Sequence, residues 1–320
     1  MNSLVFEQTG KAEEVLKYKN IKTPKPAKGH ILIKMLASPI NPNDFMFIER
    51  SYRIVPEFPE IAGLEGTGRI FENGGDKNYP VGSLVAFRQK GTWAEYVTVP
   101  KENILKLPGN FPLHKAAQIS LNPLTAWALL EQTNAKSGDY IILSAGNSSI
   151  SRLISQFSLK LGVKTIHIVR NKELFNKSTA FGPCEVVEEN KLNEFFEKFS
   201  RHHTISAFLD AVGGELASSV FTFLSPGAKV IHYGLLGTEK VSYYNSEIIF
   251  KNISVHGFGI DFWKQHKSNT KISMIWDEII EIVSSEDFIM PVKAQFPLSE
   301  FETAIRVSKN KKPGKVLFIS

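Results

Sequence analysis

The 320-residue chain holds a single cysteine, no run of apolar residues long enough to cross a membrane, no block of one charge and no G-x-G-x-x-G triplet. Each absence narrows the possibilities. One thiol, Cys184, excludes a disulfide framework and any multi-cysteine zinc site. It stands in Gly-Pro-Cys-Glu-Val-Val and reads as a buried structural thiol at the start of a strand rather than as a nucleophile. The lack of a spanning run leaves no transmembrane helix to expect. Ser3-Leu-Val-Phe6 enters a strand with no basic presequence or apolar signal core before it, so a cytoplasmic protein is expected. The net charge of +6 is spread along the chain. Only Lys309-Asn-Lys-Lys312 approaches a basic run, read as a solvated turn before Pro313-Gly314, so no nucleic-acid partner is expected.

What is present is two rhythms. Up to about residue 119 the pattern is one of strands broken by turn residues: Leu16–Ile21, His30–Ala37, Glu65–Phe71, Ser83–Phe87 and Ala94–Val99. That predicts a mostly antiparallel, barrel-like lobe. After Asn122-Pro123 a helix over Thr125–Gln132 leads into alternating strands and helices, the signature of a parallel sheet with right-handed crossovers. Its strands are predicted at 139–145, 165–169, 185–187, 205–212, 228–233 and 253–258. A helix over Ile272–Ser284, a strand over Pro291–Phe296, a helix over Ser299–Val307 and a strand over Lys315–Ile319 follow, and this tail is expected to rejoin the first lobe.

Residues 139–170 carry the clearest chemical signal. The run Asp139-Tyr-Ile-Ile-Leu-Ser-Ala145 reads as a buried strand, Gly146-Asn-Ser-Ser149 as a turn, and Ile150–Leu161 as a helix with apolar residues at 150, 153, 154, 157 and 161. A helix N-terminus aimed off a strand end offers unpaired N–H groups and a positive dipole to a diphosphate. The next strand, Thr165-Ile-His-Ile-Val169, ends in Arg170 with Lys172 beyond, where a carboxylate would prefer a ribose hydroxyl and an arginine prefers a 2′-phosphate. NADPH rather than NADH is the cofactor expected. The serines at 149 and 151, where glycines would be usual, would be strained wherever φ is positive. A nucleotide-fold unit that binds nothing is the alternative.

The layout and the motifs together resemble the medium-chain dehydrogenase/reductase superfamily. The residues that carry the resemblance are Pro39-Ile-Asn-Pro-Asn-Asp44, Tyr52, Pro59-Glu-Ile-Ala-Gly63, Glu65-Gly66, Gly91-Thr-Trp-Ala-Glu-Tyr96 and Gly314-Lys315. Zinc-bearing members have a Cys near Asn41–Asn43, a His where Leu64 stands and a four-Cys lobe, all missing here, so no metal is expected. Within the superfamily the chain looks most like the mitochondrial-type 2-enoyl thioester reductases. Ala145-Gly-Asn-Ser-Ser-Ile150 resembles their Ala-Ser-Asn-Ser-Gly-Val, and Thr165-Ile-His-Ile-Val-Arg170 their Thr-Ile-Asn-Val-Val-Arg. Quinone reductases share the Asn-Pro start and a tyrosine near position 52.

The fold this implies is α/β: a GroES-like, mostly β catalytic domain over 1–120 and 259–320, and a Rossmann doubly wound parallel-sheet domain binding NADPH over 121–258. The function implied is NADPH-dependent reduction of the activated C=C bond of a small-molecule 2-enoyl thioester, by hydride transfer without zinc. The alternatives are an NADPH:quinone or enone reductase and, from another class, a non-catalytic nucleotide-binding protein. Tyr52 is the catalytic candidate, since a protonated phenol can hydrogen-bond an enolate oxygen and then supply a proton; from the residues alone a tyrosine capping its Pro-rich loop is the favoured reading, and the resemblance reverses that.

The resemblance assigns Asn147, Ser148, Ser149 and Ile150 to the diphosphate, and Arg170, Asn171 and Lys172 to the 2′-phosphate. Asn122, Tyr233, Gly234, Leu235, Leu236, Phe258, Gly259 and Ile260 go to the nicotinamide, with Lys315 closing over the cofactor. The family has Gly-Gly-Met after the tyrosine at 233 and a large aromatic where Gly259 stands. A homodimer is expected, formed by pairing of the strand within Asn252–Gly259. Asp44 reads as the N-cap of a helix beginning near Phe45, Glu65 as a buried carboxylate paired with an arginine, and His202-His203 as a helix-end pair rather than a metal site.

Overall fold

The computed structural model describes residues 1–175, 181–182, 184–237, 239–310 and 314–320. Lys311, Lys312 and Pro313, part of the expected basic turn, and Pro183 lie outside the described residues. The chain divides into two compact units, Met1–Leu121 with Ile280–Ser320, and Asn122–Ile279.

The first unit opens with β1 (Asn2–Phe6), β2 (Lys17–Asn20), β3 (His30–Pro39), β4 (Glu60–Ile61), β5 (Glu65–Glu72), β6 (Leu84–Arg88), β7 (Tyr96–Pro100) and β8 (Ile104–Lys106). Strands β2, β1 and β4 form one small antiparallel sheet. The long β3 organises the other, pairing antiparallel with β5 and with β7, while β6 joins β5 and β8 joins β6. Alternation along β3 explains its place: Ile31, Ile33 and Met35 point to one face and pack with Ile70, Val85, Phe87, Val97 and Val99. A separate core gathers Phe6, Phe47, Trp93 and Phe318, with Trp93 and Phe318 edge-to-face at 5.1 Å.

The second unit contains β9 (Tyr140–Leu143), β10 (Lys164–Val169), β11 (Cys184–Glu188), β12 (Ile205–Asp210), β13 (Lys229–His232) and β14 (Ser254–Gly257). They form a single sheet in the order β11-β10-β9-β12-β13-β14, every pairing parallel. This is the doubly wound nucleotide-fold order, whose direction reverses between β9 and β12. Strand β9 is buried at all four positions, as a central parallel strand with both faces covered must be. Crossover helices span Ser149–Ser158, Leu192–Phe199, Gly214–Phe221 and Asn245–Lys251. Cys184, expected buried, is half-buried because it begins β11 at the sheet edge.

The last strands, β15 (Val292–Pro297) and β16 (Lys315–Ile319), pair in parallel, and β16 runs antiparallel to β3 through Leu317–Pro39 and Ile319–Ala37. The tail thus returns to the first unit, but later than expected: residues 259–279 group with the nucleotide-fold unit. The reason is local. Trp263 is buried and its Nε1–H donates to Glu131 at 2.9 Å, while Lys267 reaches both Glu131 oxygens at 2.9 and 2.7 Å. Among the described residues, no helix is long and apolar enough to cross a membrane.

Candidate active site

The turn after β9 leads into the helix Ser149–Ser158, and Ser148 caps it. The Ser148 hydroxyl accepts from the Ser151 backbone N–H at 3.1 Å and donates to the Ser151 hydroxyl at 3.0 Å. Ser151, fully buried, turns its own hydroxyl onto the carbonyls of Ser144 and Ala145, each 3.2 Å away. The strain expected at the serines is therefore absent: the positive φ of this turn falls on Ala145, at 47°. Gly146 is needed for close approach instead, since a Cβ there would lie 2.7 Å from the Cβ of His167 and 2.9 Å from the Ile168 carbonyl.

His167 locks the turn from below. It is fully buried on β10, with Nδ1 2.8 Å from the Gly146 carbonyl and Nε2 2.6 Å from the Ser155 hydroxyl. A carbonyl only accepts, so Nδ1 carries the proton, and Nε2 accepts from Ser155. Burial pushes the imidazole pKa down to about 4, the Gly146 carbonyl works against that, and the nearby Arg152 charge adds to it. The ring is neutral at working pH. Neither His167 nor Ser155 was singled out as functional from the sequence; the available signal is a polar residue at the centre of an apolar strand.

At the end of β10, Arg170 is exposed and no described residue holds its guanidinium. Beside it the Asn171 side chain accepts from the Glu173 N–H at 2.8 Å, and the Lys172 N–H donates to Glu188 at 3.0 Å. These three and the residues 147–150 follow the adjacent strands β10 and β9.

The far side of the reversal point carries a polar relay. Asp210, at the end of β12, accepts from Ser144 (2.7 Å), from the N–H groups of Val212 (3.0 Å) and Gly213 (2.8 Å), and from His232 Nδ1 (2.9 Å). Burial pushes its carboxyl up, but the bonds from His232, Ser144 and Val212 outweigh it and hold it below the usual carboxylate range. His232 Nε2 in turn accepts from the Tyr243 hydroxyl at 2.7 Å. Tyr233 follows, its hydroxyl buried near those of Ser151 and Ser148 but outside hydrogen-bond distance of any described residue; burial pushes its pKa up to about 12 and the two serines offset part of that rise. Gly234 lies against Ala211, whereas Leu235 is 80% and Leu236 61% exposed. The Phe258 N–H donates to the His232 carbonyl at 2.8 Å, and Gly259 precedes the short helix Ile260–Gln265. Asn122 is buried at the start of the helix Asn122–Thr133.

Tyr52 and Lys315 belong to the other unit. Tyr52 is half-buried against the core that contains Phe47, with the Arg53 guanidinium 5.6 Å from its ring centre. Lys315 donates to the Asn41 side-chain oxygen. Asn41 also donates to Glu65 at 2.9 Å, and Glu65 accepts further from Ser120 (3.0 Å) and the Leu121 N–H (2.9 Å). Glu65 thus gathers these neutral donors, and burial raises its pKa while the Lys315 and Arg88 charges lower it. The expected cap is also different. Asn41 caps the helix Pro42–Ile48, and Asp44 reaches back to accept from the Asn41 N–H at 2.7 Å, a capping box. The second Asp44 oxygen is buried without a partner, and burial, reinforced by the Glu65 charge, pushes the carboxyl up to about 7. Burial lowers the Lys315 ammonium pKa against the pull of Glu65 and Asp44.

Residues 27–109 match the alcohol dehydrogenase GroES-like domain. The mitochondrial enoyl-[acyl-carrier-protein] reductase of Xenopus tropicalis is 30% identical over 325 residues, covering 96% of this chain and 91% of that protein. Among solved structures, a protein described provisionally as an NADPH:quinone reductase from Mesorhizobium loti gives a TM-score of 0.90 at 26% identity, over 100% of this chain and 98% of its own. A mutant form of enoyl thioester reductase from Candida tropicalis gives 0.83 at 22% identity, over 100% and 99% of the two chains, a likeness of fold. With a relative at this identity along nearly its whole length, and without the cysteine and histidine ligands of the zinc enzymes, the chain belongs to the zinc-independent medium-chain dehydrogenase/reductase family.

Proposed function

We propose that this protein is an NADPH-dependent oxidoreductase that reduces the C=C bond of a 2-enoyl thioester, with the Asn122–Ile279 unit binding the cofactor and the other unit carrying the catalytic phenol. The observation that carries this reading is the exposed Arg170 at the tip of β10, without a partner among the described residues, one strand from a serine-capped helix N-terminus at the sheet's reversal point. These residues suit the cofactor: a cation for a 2′-phosphate, the N-terminus of the helix Ser149–Ser158 for a diphosphate, and a buried Tyr233 hydroxyl. When bound, NADPH supplies the hydride.

In this reading residues 147–150 hold the diphosphate and 170–172 the 2′-phosphate. Asn122, 233–236 and 258–260 border the nicotinamide, and Lys315 is a further cofactor contact whose ammonium Asn41 orients. Tyr52 donates a hydrogen bond to the thioester oxygen as negative charge develops there, then passes a proton to the α-carbon. Gly259, small where the family carries an aromatic, widens the acyl pocket. The enoyl reading is favoured over a quinone reductase by the identity and coverage of the Xenopus tropicalis relative. The second reading is kept by the Mesorhizobium loti structure.

A cytoplasmic homodimer goes with the proposal. The edge strand β14 and the exposed Ile249, Phe250 and Val255 support the dimer, and the compartment needs a localisation experiment, since the vertebrate relative is mitochondrial. The deciding experiment compares NADPH oxidation with crotonyl or decenoyl thioesters and with a benzoquinone. A higher kcat/KM on an enoyl thioester supports the reading; a quinone value far above every enoyl thioester replaces it with the second; no NADPH binding removes both.

A further inference from the structure

Arg152 lies in the first turn of the helix that follows the phosphate turn, and it is only 6% exposed. Its guanidinium has five N–H donors. Two of them make contacts at the outer limit of hydrogen bonding, Nε to the Asn147 carbonyl and Nη2 to the Asn147 side-chain oxygen, both 3.4 Å. Its faces are covered by Phe175 at 5.4 Å and Phe181 at 5.0 Å. Among the described residues no carboxylate pairs with it, and burial alone drives its pKa down, with no acid pulling it back. An unpaired charge out of water is one of the costliest features a fold can keep, so buried cations normally have an anion. No such anion is found among the described residues.

We infer that Arg152 is the inner wall of an anion site completed by the 2′-phosphate of the cofactor, facing Arg170 across it, an assignment that rests on the NADPH reading above. The guanidinium lies against Asn147 in the phosphate turn. Its aromatic cover comes from Phe175 and Phe181, which lie in the connection between β10 and β11, beyond Arg170. This geometry leaves the donors other than those on Asn147 without a hydrogen-bond partner among the described residues. Aromatic faces on a guanidinium also strip its water, which strengthens a bond to a dianion.

The test is equilibrium titration of the full-length protein and of Arg152→Gln and Arg152→Lys with NADPH, NADH, 2′,5′-ADP and 5′-AMP, together with each variant's melting temperature. Loss of one charge-assisted contact predicts that Arg152→Gln weakens NADPH and 2′,5′-ADP by about 10- to 100-fold and leaves NADH and AMP within about twofold. Arg152→Lys should recover part of the loss. Equal weakening of NADPH and NADH in both variants, or no change in either, overturns the inference and leaves the reductase reading standing. Failure of the wild-type protein to bind any of the four overturns both.

Discussion

The His167 ring and the Gly146 carbonyl are joined by a 2.8 Å hydrogen bond that ties the phosphate turn to the neighbouring strand. A buried imidazole with its pKa near 4 in the fold and 6.5 when unfolded binds fewer protons folded than unfolded between those values. Its contribution is complete above pH 6.5 and is lost as pH falls toward 4. The stability of the wild type should therefore decline over that window, by up to about 3 kcal/mol. His167→Asn keeps a donor for Gly146 and should flatten the pH dependence. Chemical denaturation at a series of pH values reads this directly, and identical slopes in the two proteins would refute it.

Asp44 has the opposite sign. Its carboxyl is raised to about 7 in the fold from 3.8, so the fold binds the extra proton and stability is lost as pH rises from about 4 through 7. Asp44→Asn keeps an oxygen for the Asn41 N–H and removes the buried charge. At pH 8 it should cost little or stabilise by about 1–2 kcal/mol, whereas at pH 4.5 it should be neutral or destabilising. Melting curves of both proteins at the two pH values check the crossover.

Tyr52→Phe removes one hydroxyl from the proposed enolate contact. The account predicts a drop in kcat of roughly 10²–10³-fold on an enoyl thioester, with NADPH affinity unchanged. Stopped-flow turnover beside a cofactor titration separates the two. Unchanged turnover would take Tyr52 out of the chemistry.

Phe250 is 84% and Val255 38% exposed beside the open edge of the parallel sheet. If β14 pairs with a second copy, sedimentation should give a dimer for the wild type and a monomer for Val255→Asp. A monomeric wild type, or a dimer indifferent to that charge, would move the interface elsewhere.

Much of the architecture is legible in residue patterns, because the forces that fix it are local. The apolar run 140–143 reads as a strand buried on both faces and is one, and Gly162, at φ 64°, ends its crossover helix as its position suggests. The position of Arg170 at a strand tip follows from counting along Thr165–Val169. What could not be read are the features that depend on which atoms meet. The strain assigned to Ser149 and Ser151 fell on Ala145, since only the folded turn decides where φ is positive. Asp44 closes the capping box from N3 and Asn41 stands at the N-cap because the helix begins at Pro42 rather than near Phe45. The boundary near 259 moved to 280 because the Trp263–Glu131 contact bridges more than a hundred residues. Ser155 and Arg152 lie off the apolar helical stripe, on positions the pattern reads as exposed, yet both are buried, and His167 is a buried polar residue within a strand; a periodicity does not say what such a group bonds to.

The central claim is hydride delivery to the β-carbon of an enoyl thioester, and isotope transfer tests it most directly. With NADPH deuterated at nicotinamide C4, on each face in turn, and crotonyl thioester as substrate, the account predicts a saturated thioester. One face should place deuterium at the β-carbon, with a solvent-derived hydrogen at the α-carbon. A product labelled at the α-carbon, or no saturated thioester while a quinone is reduced under the same conditions, would contradict it.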